Sequence, residues 1–128
     1  MALVSPRRGA WLLAAGRVVL GASILAAPEQ ITAQWLGEEN AKHAAVIDLA
    51  RGLAVRDVAL GAAVLWTLDD AVLGPRLQSA CAVADSVDTV ATLLASEHLP
   101  RKGVIGTVAV AAGAALAGFY FSHRLAHA

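Results

Sequence analysis

Four long apolar segments separated by short polar stretches dominate the pattern of this chain. A helix needs about 20 apolar residues to cross the hydrocarbon core of a bilayer, and each segment approaches or reaches that length. The segments cover residues 10–27, 44–68, 77–96 and 103–122. Short connectors make consecutive helices antiparallel neighbours. The pattern therefore predicts an all-α fold, an integral membrane four-helix up-down-up-down bundle, with residues 1–128 forming a single four-span domain.

The residues around the first segment bear on how it is used. Arg7 and Arg8 precede an apolar run that ends at Pro28, as in a signal peptide. Arg17 in the middle of that run and the three further apolar segments favour a retained span instead. Residues 29–43 are expected to form a polar connector in which Trp35 anchors at the membrane interface.

Composition and charge agree with a membrane protein. Hydrophobic residues make up 58% of the chain and charged residues 16%, whereas soluble domains carry about 25% charged residues. The formal net charge is zero and Lys and Arg are not clustered, so no nucleic acid partner is expected. We expect a multi-pass protein of the cell membrane with membrane lipid as its partner. The bias of basic residues favours cytoplasmic termini, with Arg7, Arg8, Arg76 and Arg124 on one side and Lys42, Arg101 and Lys102 on the other.

Charged residues interrupt the second apolar segment at Asp48, Arg51, Arg56 and Asp57. A charge at the centre of a spanning helix costs at least about 2.5–3.5 kcal/mol, so it is retained where it is paired, solvated or used. Asp48 and Arg51 share one helical face, with Arg56 at its margin, and we expect that face to point into the bundle. Asp57 points almost the opposite way. This indicates either an Arg17 partner from another helix or an irregular helix near Gly52.

The first and third segments each carry one polar face. In the third, spacings of three and four residues align a stripe formed by Gln78, Cys81, Asp85, Asp88 and Thr92. Two carboxylates one turn apart repel unless a cation lies between them or one of them holds a proton. In the first segment, Arg17 shares a face with the small residues Ala10, Ala14 and Gly21, so we expect that face to point inward.

Three short motifs combine into one pattern: Arg17 followed by Leu-Gly-Ala, the run R-G-L-A-V-R-D-V-A-L-G from Arg51 to Gly61, and D-S-V-D from Asp85 to Asp88. Over about Arg17 to Thr92 this pattern resembles a family of small four-helix bacterial integral membrane proteins of unknown function. The resemblance implies a four-helix fold and a polar core, and it implies no particular activity.

Acid–base chemistry on a lipophilic small molecule is the function that we predict for the polar interior. An Arg between two carboxylates can leave one Asp protonated as a general acid while the other accepts a proton. Epoxide opening, isomerisation or cyclisation needs only such groups. The predicted catalytic set is Asp85 and Asp88 as the acid/base pair with Arg51, Arg56 and Asp57, and the predicted binding or supporting residues are Arg17, Asp48, Gln78 and Thr92. Cys81 is a single cysteine and no zinc spacing or cofactor motif occurs, so neither a metal nor a cofactor is expected.

Other functions fit the same residues. The charges could form structural salt bridges in a non-catalytic interaction subunit, or carry protons or small solutes through an oligomer. A homodimer could form through small-residue faces such as Gly106, Gly113 and Ala117. The three functional hypotheses predict different surroundings for the charged residues. An enzyme needs an apolar pocket of roughly 300 Å³ or more, a transporter needs a wet path toward both faces, and a structural role predicts paired guanidiniums without a cavity.

Overall fold

The computed structural model describes residues 4–128, which form six α-helices and one short 3₁₀ turn. The helices are α1 (Pro6–Ala26), α2 (Pro28–Leu36), α3 (Glu38–Ala41), α4 (Ala44–Thr67), α5 (Leu73–Leu94) and α6 (Arg101–Ala126), and the 3₁₀ turn is Ser96–His98. No β-strand occurs within this part of the chain. The predicted all-α fold is confirmed. Residues 29–43, expected to be a connector, instead form the short helices α2 and α3.

Local chemistry explains where the first helices begin and end. The Ser5 hydroxyl accepts a hydrogen bond from the backbone N–H of Arg8, and Pro6 occupies the first turn of α1, where no N–H donor is needed. Pro28 cannot continue the hydrogen bonding of α1 and begins α2 instead. Gly37 separates α2 from α3 with a φ of 94°, a conformation that favours glycine.

The turn between α4 and α5 is stabilised by Asp70. Its carboxylate Oδ1 accepts hydrogen bonds from the backbone N–H groups of Leu73, at 2.8 Å, and Val72, at 2.9 Å. These two bonds favour the charged form, Leu73 contributing most, and lower the pKa of Asp70 below its usual value. The exposed pair of Arg7 and Asp69 joins the start of α1 to the same turn.

The four long helices form an antiparallel ring in the order α1, α4, α5, α6. The helices of each pair, α1 with α4 and α5 with α6, pack along most of their length, whereas contacts between the two pairs are sparser. Glycine permits the closest approach. A Cβ at Gly21 would lie 2.5 Å from the Ala54 carbonyl oxygen, and one at Gly61 would lie 2.7 Å from that of Ala14. The α1–α4 pair therefore depends on glycine on both helices.

Small and polar residues occupy the interior, and many large apolar residues lie outside. Ala10, Ala54 and Ala82 are fully buried, whereas Trp66 is 91% and Leu94 82% exposed. By length and composition, α1 and α6 could each cross a membrane, while α4 and α5 are interrupted by charged and polar residues. Two of the four predicted spans thus qualify on their own sequence.

The faces of α1 and α5 that the sequence predicted to point inward do so, whereas the predicted inward face of α4 does not. The predicted inward face of α4 is exposed at Asp48, Arg51, Gly52, Val55, Ala59 and Ala62. Its buried residues are Ile47, Ala50, Ala54, Asp57, Gly61 and Val64. On α6, Gly106 and Gly113 are exposed, and the buried residues are Gly103, Ala111, Ala115, Gly118 and Ser122. In both helices the side that packs is the one whose small residues let a neighbouring backbone approach.

Candidate charged cluster and ligand cavity

Arg17 joins three helices at the centre of the bundle. From α1, its Nη1 donates to Oδ1 of Asp57 on α4 at 3.0 Å, and its Nη2 donates to Oδ2 of Asp85 on α5 at 2.5 Å. All three side chains are at most 10% exposed. The Arg17–Asp57 contact confirms the expectation that Asp57 meets an Arg from another helix. It also explains why Asp57 points away from the other charges of α4.

A second ion pair extends from Asp57 toward the surface between α4 and α5. Arg56 forms two hydrogen bonds with Asp88, from Nη2 to Oδ2 at 2.7 Å and from Nη1 to Oδ1 at 3.3 Å. Arg56 Nη2 also lies 3.3 Å from Asp57 Oδ1. The Arg56 side chain is 34% exposed and that of Asp88 23% exposed. We call Arg17, Arg56, Asp57, Asp85 and Asp88 together the charged cluster.

The charged cluster holds more negative than positive groups. Its two guanidiniums face three carboxylates, which leaves one carboxylate in excess. An uncompensated charge is costly inside a protein, and interacting carboxyl groups share protons as a set. A proton bound to the cluster would balance the excess. A bound proton is the first requirement for a general acid.

The three carboxylates of the charged cluster differ in how many of their oxygens accept a hydrogen bond. Asp88 uses both oxygens in its contact with Arg56. Asp57 accepts both of its guanidinium contacts through Oδ1, and Asp85 accepts its contact through Oδ2. Within residues 4–128, Asp57 Oδ2 and Asp85 Oδ1 accept no hydrogen bond. These two oxygens, on either side of Arg17, are therefore available to a ligand or water.

A cavity of about 660 Å³ adjoins this side of the cluster. Most of its wall comes from α1 and α6, with smaller contributions from α2, α4 and α5. Arg17, Asp57, Asp85 and Asp88 belong to the wall, and the remaining wall is largely apolar, with Leu12, Leu13, Leu20, Ile24, Ile31, Leu53, Val64 and Val110. The cavity reaches the surface between α1 and α6, where its wall includes the exposed Gly16 and Gly106. An apolar ligand could thus reach the charges through the opening between α1 and α6.

Some buried polar atoms lack a hydrogen-bond partner within residues 4–128. They are Thr32 Oγ1, Trp35 Nε1, Arg56 Nε and Gln78 Oε1. Trp35 and Gln78 belong to the cavity wall. An unsatisfied buried polar atom costs about 1–3 kcal/mol, and both of these atoms are enclosed by protein rather than open to the cavity. No three His, Cys, Asp or Glu side chains of the same residues are placed to hold a metal ion.

The structure brings together most, but not all, of the predicted site residues. The prediction that Arg51 and Asp48 belong to the site is wrong, because both are exposed on the outer face of α4. Neither residue belongs to the cluster or to the cavity wall. Thr92 is buried as expected but lies outside the cavity wall. Gln78 lines the cavity, and Arg17, expected only to support the site, is its central cation.

Trp35 and Lys102 are among the wall residues that were not assigned to the site from the sequence. Trp35 was expected to be an interface anchor, and Lys102 was counted only among the basic residues of a connector. Their positions follow from the packing of α2 against α6, where a Cβ at Gly103 would clash with the Trp35 backbone carbonyl. Gly103 next to Lys102 was the one sequence signal of such a close approach.

Comparison with protein-family models, with curated proteins and with solved structures found no match to this chain.

Proposed function

We propose that this is a four-span membrane protein in which α1, α4, α5 and α6 cross the bilayer. At 1.5 Å per residue, α4 is about 36 Å long and α5 about 33 Å, compared with about 30 Å of hydrocarbon. The hydropathy of α4 and α5 is lowered by four charged residues that are paired within the bundle, namely Arg56, Asp57, Asp85 and Asp88. The exposed Asp48 and Arg51 lie about 6 and 10 Å from the start of α4, from where they can reach the headgroups.

The proposed activity is acid–base catalysis on a lipophilic small molecule, with epoxide opening as the leading reaction. The observation that carries this proposal is that Asp85, Arg17 and Asp57 form a continuous set on the wall of an apolar cavity. Such a combination of an apolar pocket with a few convergent polar groups is typical of small-molecule sites. Structural ion pairs alone would require no cavity.

The contacts divide the roles between the two carboxyl groups. Asp57 contacts two guanidiniums and Asp85 contacts one, so Asp57 is the better-compensated carboxylate. We assign the cluster's proton to Asp85, which donates it to the epoxide oxygen as the carbon–oxygen bond breaks. Asp57 accepts a proton from the water whose oxygen bonds to that carbon, so epoxide and water yield a diol. Arg17 holds both carboxyl groups in position.

The test uses purified protein in lipid nanodiscs with a panel of lipophilic epoxides. In water enriched in heavy oxygen, mass spectrometry should show a diol carrying one heavy oxygen atom. Asp85→Asn and Asp57→Asn should each lower the rate by roughly 10²–10⁴-fold, the range for loss of a general acid or base. Asp48→Asn is the matched control, because Asp48 is exposed and lies on the same helix as Asp57. An active Asp85→Asn variant would contradict the proposal.

Transport and a non-catalytic role predict other results. If the cluster carries protons or solutes, proteoliposomes should show a flux that Asp85→Asn stops, without any diol. If the ion pairs are only structural, neither diol nor flux should appear, and the variants should differ from wild type in stability alone.

With cytoplasmic termini, the α2 end of the cavity faces the outside of the cell. A homodimer remains a proposal as well, with the exposed face of α6 around Gly113 as its contact surface.

A further inference from the structure

We propose that the cavity binds a single-chain amphiphile with a carboxylate headgroup. The headgroup lies at Lys102 and Trp35, and the reacting group lies within the chain, beside Arg17. This inference rests on the proposed function for the reaction, whereas the binding mode stands on the cavity itself. Three features carry it: the chemistry of the α2–α6 end of the cavity, the distance from that end to the cluster, and the apolar wall between them.

The α2–α6 end of the cavity is suited to one negative charge. Lys102 lies in the wall and forms no ion pair within residues 4–128. Trp35 also lies there, with its Nε1 enclosed by protein atoms. No carboxylate of α2 or α6 lines this end. The single ammonium matches a carboxylate, which carries one negative charge and accepts hydrogen bonds only.

The distance from Lys102 to the charged cluster corresponds to about one leaflet. Gly9 at the start of α1 packs against Phe121 of the antiparallel α6. Arg17 lies 8 residues after Gly9 on α1, and Gly113 lies 8 residues before Phe121 on α6. Arg17 is therefore near the level of Gly113 and of the next residue, Ala114, which lines the cavity. Lys102 to Ala114 spans about 18 Å of helix, compared with about 15 Å for half of the hydrocarbon core. A lipid chain with its headgroup at the interface would thus reach the cluster.

The stretch between these two points contains the apolar side chains Leu20, Ile24, Ile31 and Val110. Such a wall accommodates a hydrocarbon chain without leaving a buried polar group unpaired. The opening between α1 and α6 allows the chain to enter from the membrane while its charged end stays at the interface. The reacting group would therefore be an epoxide within the chain of a fatty or isoprenoid acid.

Binding can be tested without any turnover. Trp11→Phe and Trp66→Phe together leave Trp35 as the only tryptophan, since the chain has 3. Dibrominated stearic acid, an unreactive quencher, is titrated into this variant in detergent micelles and compared with its methyl ester. We expect saturable quenching by the acid. Lys102→Gln should weaken binding of the acid about fivefold, as for a partly exposed ion pair, and leave binding of the ester unchanged. Arg101→Gln is the matched control, because Arg101 is adjacent and lies outside the cavity wall.

Equal binding of acid and ester, or equal effects of Lys102→Gln and Arg101→Gln, would overturn the headgroup assignment. Tighter binding of a long-chain alkyl phosphate than of the acid would also overturn it, since it would identify a phosphate site. The reaction is tested separately with epoxidised oleic acid and its methyl ester. Selective binding of the acid without diol formation refutes the proposed function alone. Equal conversion of acid and ester refutes the carboxylate headgroup and leaves the proposed function in place.

Discussion

Replacing Arg17 by Met should destabilise the bundle more than any other single loss of a basic residue. Arg17 contacts two carboxylates, and all three side chains are at most 10% exposed. Removing one partner of a buried ion pair costs roughly 3–5 kcal/mol, because the other partner stays buried and charged. Asp57, the ionised carboxylate of the proposed pair, would keep only its contact with Arg56, which Asp88 also uses, and Asp85 would lose its hydrogen-bond donor. We therefore expect a loss of about 3–5 kcal/mol, carried mainly by Asp57.

Arg56→Met provides the comparison. The Arg56 side chain is 34% exposed, so solvent screens its interactions with Asp57 and Asp88. Pairs this exposed contribute roughly 0.2–1 kcal/mol, and we expect Arg56→Met to cost about 1 kcal/mol. The two variants delete the same charge from the same cluster. Their difference therefore measures the effect of burial at Arg17.

The assay is reversible unfolding in mixed micelles of mild detergent and SDS, followed by circular dichroism of the helices. The double variant Arg17→Met/Asp57→Asn removes the ionised carboxylate that loses its buried cation. It should recover about 1–2 kcal/mol relative to Arg17→Met alone, a coupling typical of contacting residues. The reasoning is refuted if Arg17→Met costs no more than Arg56→Met. It is also refuted if the double variant is less stable than Arg17→Met.

Two further predictions concern the cavity and the α4–α5 turn. Gly106→Leu should abolish quenching of Trp35 by the brominated acid, whereas Gly113→Leu should not. Both glycines have open space around them, but only Gly106 lines the cavity. Equal effects of the two substitutions would mean that the ligand does not occupy this cavity. Since hydrogen bonds lower the pKa of Asp70 in the folded state, its stabilisation is present above the unfolded pKa of about 3.9 and is lost as the pH falls through the lower folded value. NMR titration of the Asp70 carboxyl carbon in the native protein should show a midpoint below that of the unfolded chain, and an unshifted midpoint would contradict the turn geometry.

The sequence predicted the helical fold and the inward faces of two helices because the polar residues of each fall on one side. On α5, Gln78, Cys81 and Asp85 recur at spacings of three and four, and the stripe is buried. On α1, Arg17 is flanked one turn away by small residues, and that face also packs inward. A single polar face in an apolar helix leaves one orientation that buries the charge.

The same reasoning gave the wrong face for α4 because its charges lie on two sides. Asp48 and Arg51 are near the start of the helix, where water or, in the proposed bilayer, headgroups can solvate them, and they require no burial. Asp57 lies near the middle of α4 and must be paired inside, so it orients the helix. Depth along the helix therefore carries more information than the number of charges on a face. On α6, small residues on several sides left the sequence without any such signal.

The roles of the acidic residues depended on distances between helices. Asp85 and Asp88 lie one turn apart on α5, which suggested a shared cation. In the structure, Arg17 approaches Asp85 from α1 and Arg56 approaches Asp88 from α4, so each carboxylate has its own guanidinium. Asp57 is the residue that the two cations share. The proposed acid/base pair is therefore Asp57 and Asp85, on two helices, instead of the two carboxylates of α5 that the sequence suggested.

The sequence predicted the wrong residues for the charged interior, but the excess of one carboxylate is the same in the prediction and in the structure. The sequence suggested three Arg against four Asp, and the structure places two Arg against three Asp. Asp48 and Arg51 leave the interior together, and they carry opposite charges. One carboxylate remains in excess in either case, so the need for a bound proton follows from both assignments. The structure adds that Asp57 Oδ2 and Asp85 Oδ1 accept no hydrogen bond within residues 4–128, and that both residues line the cavity.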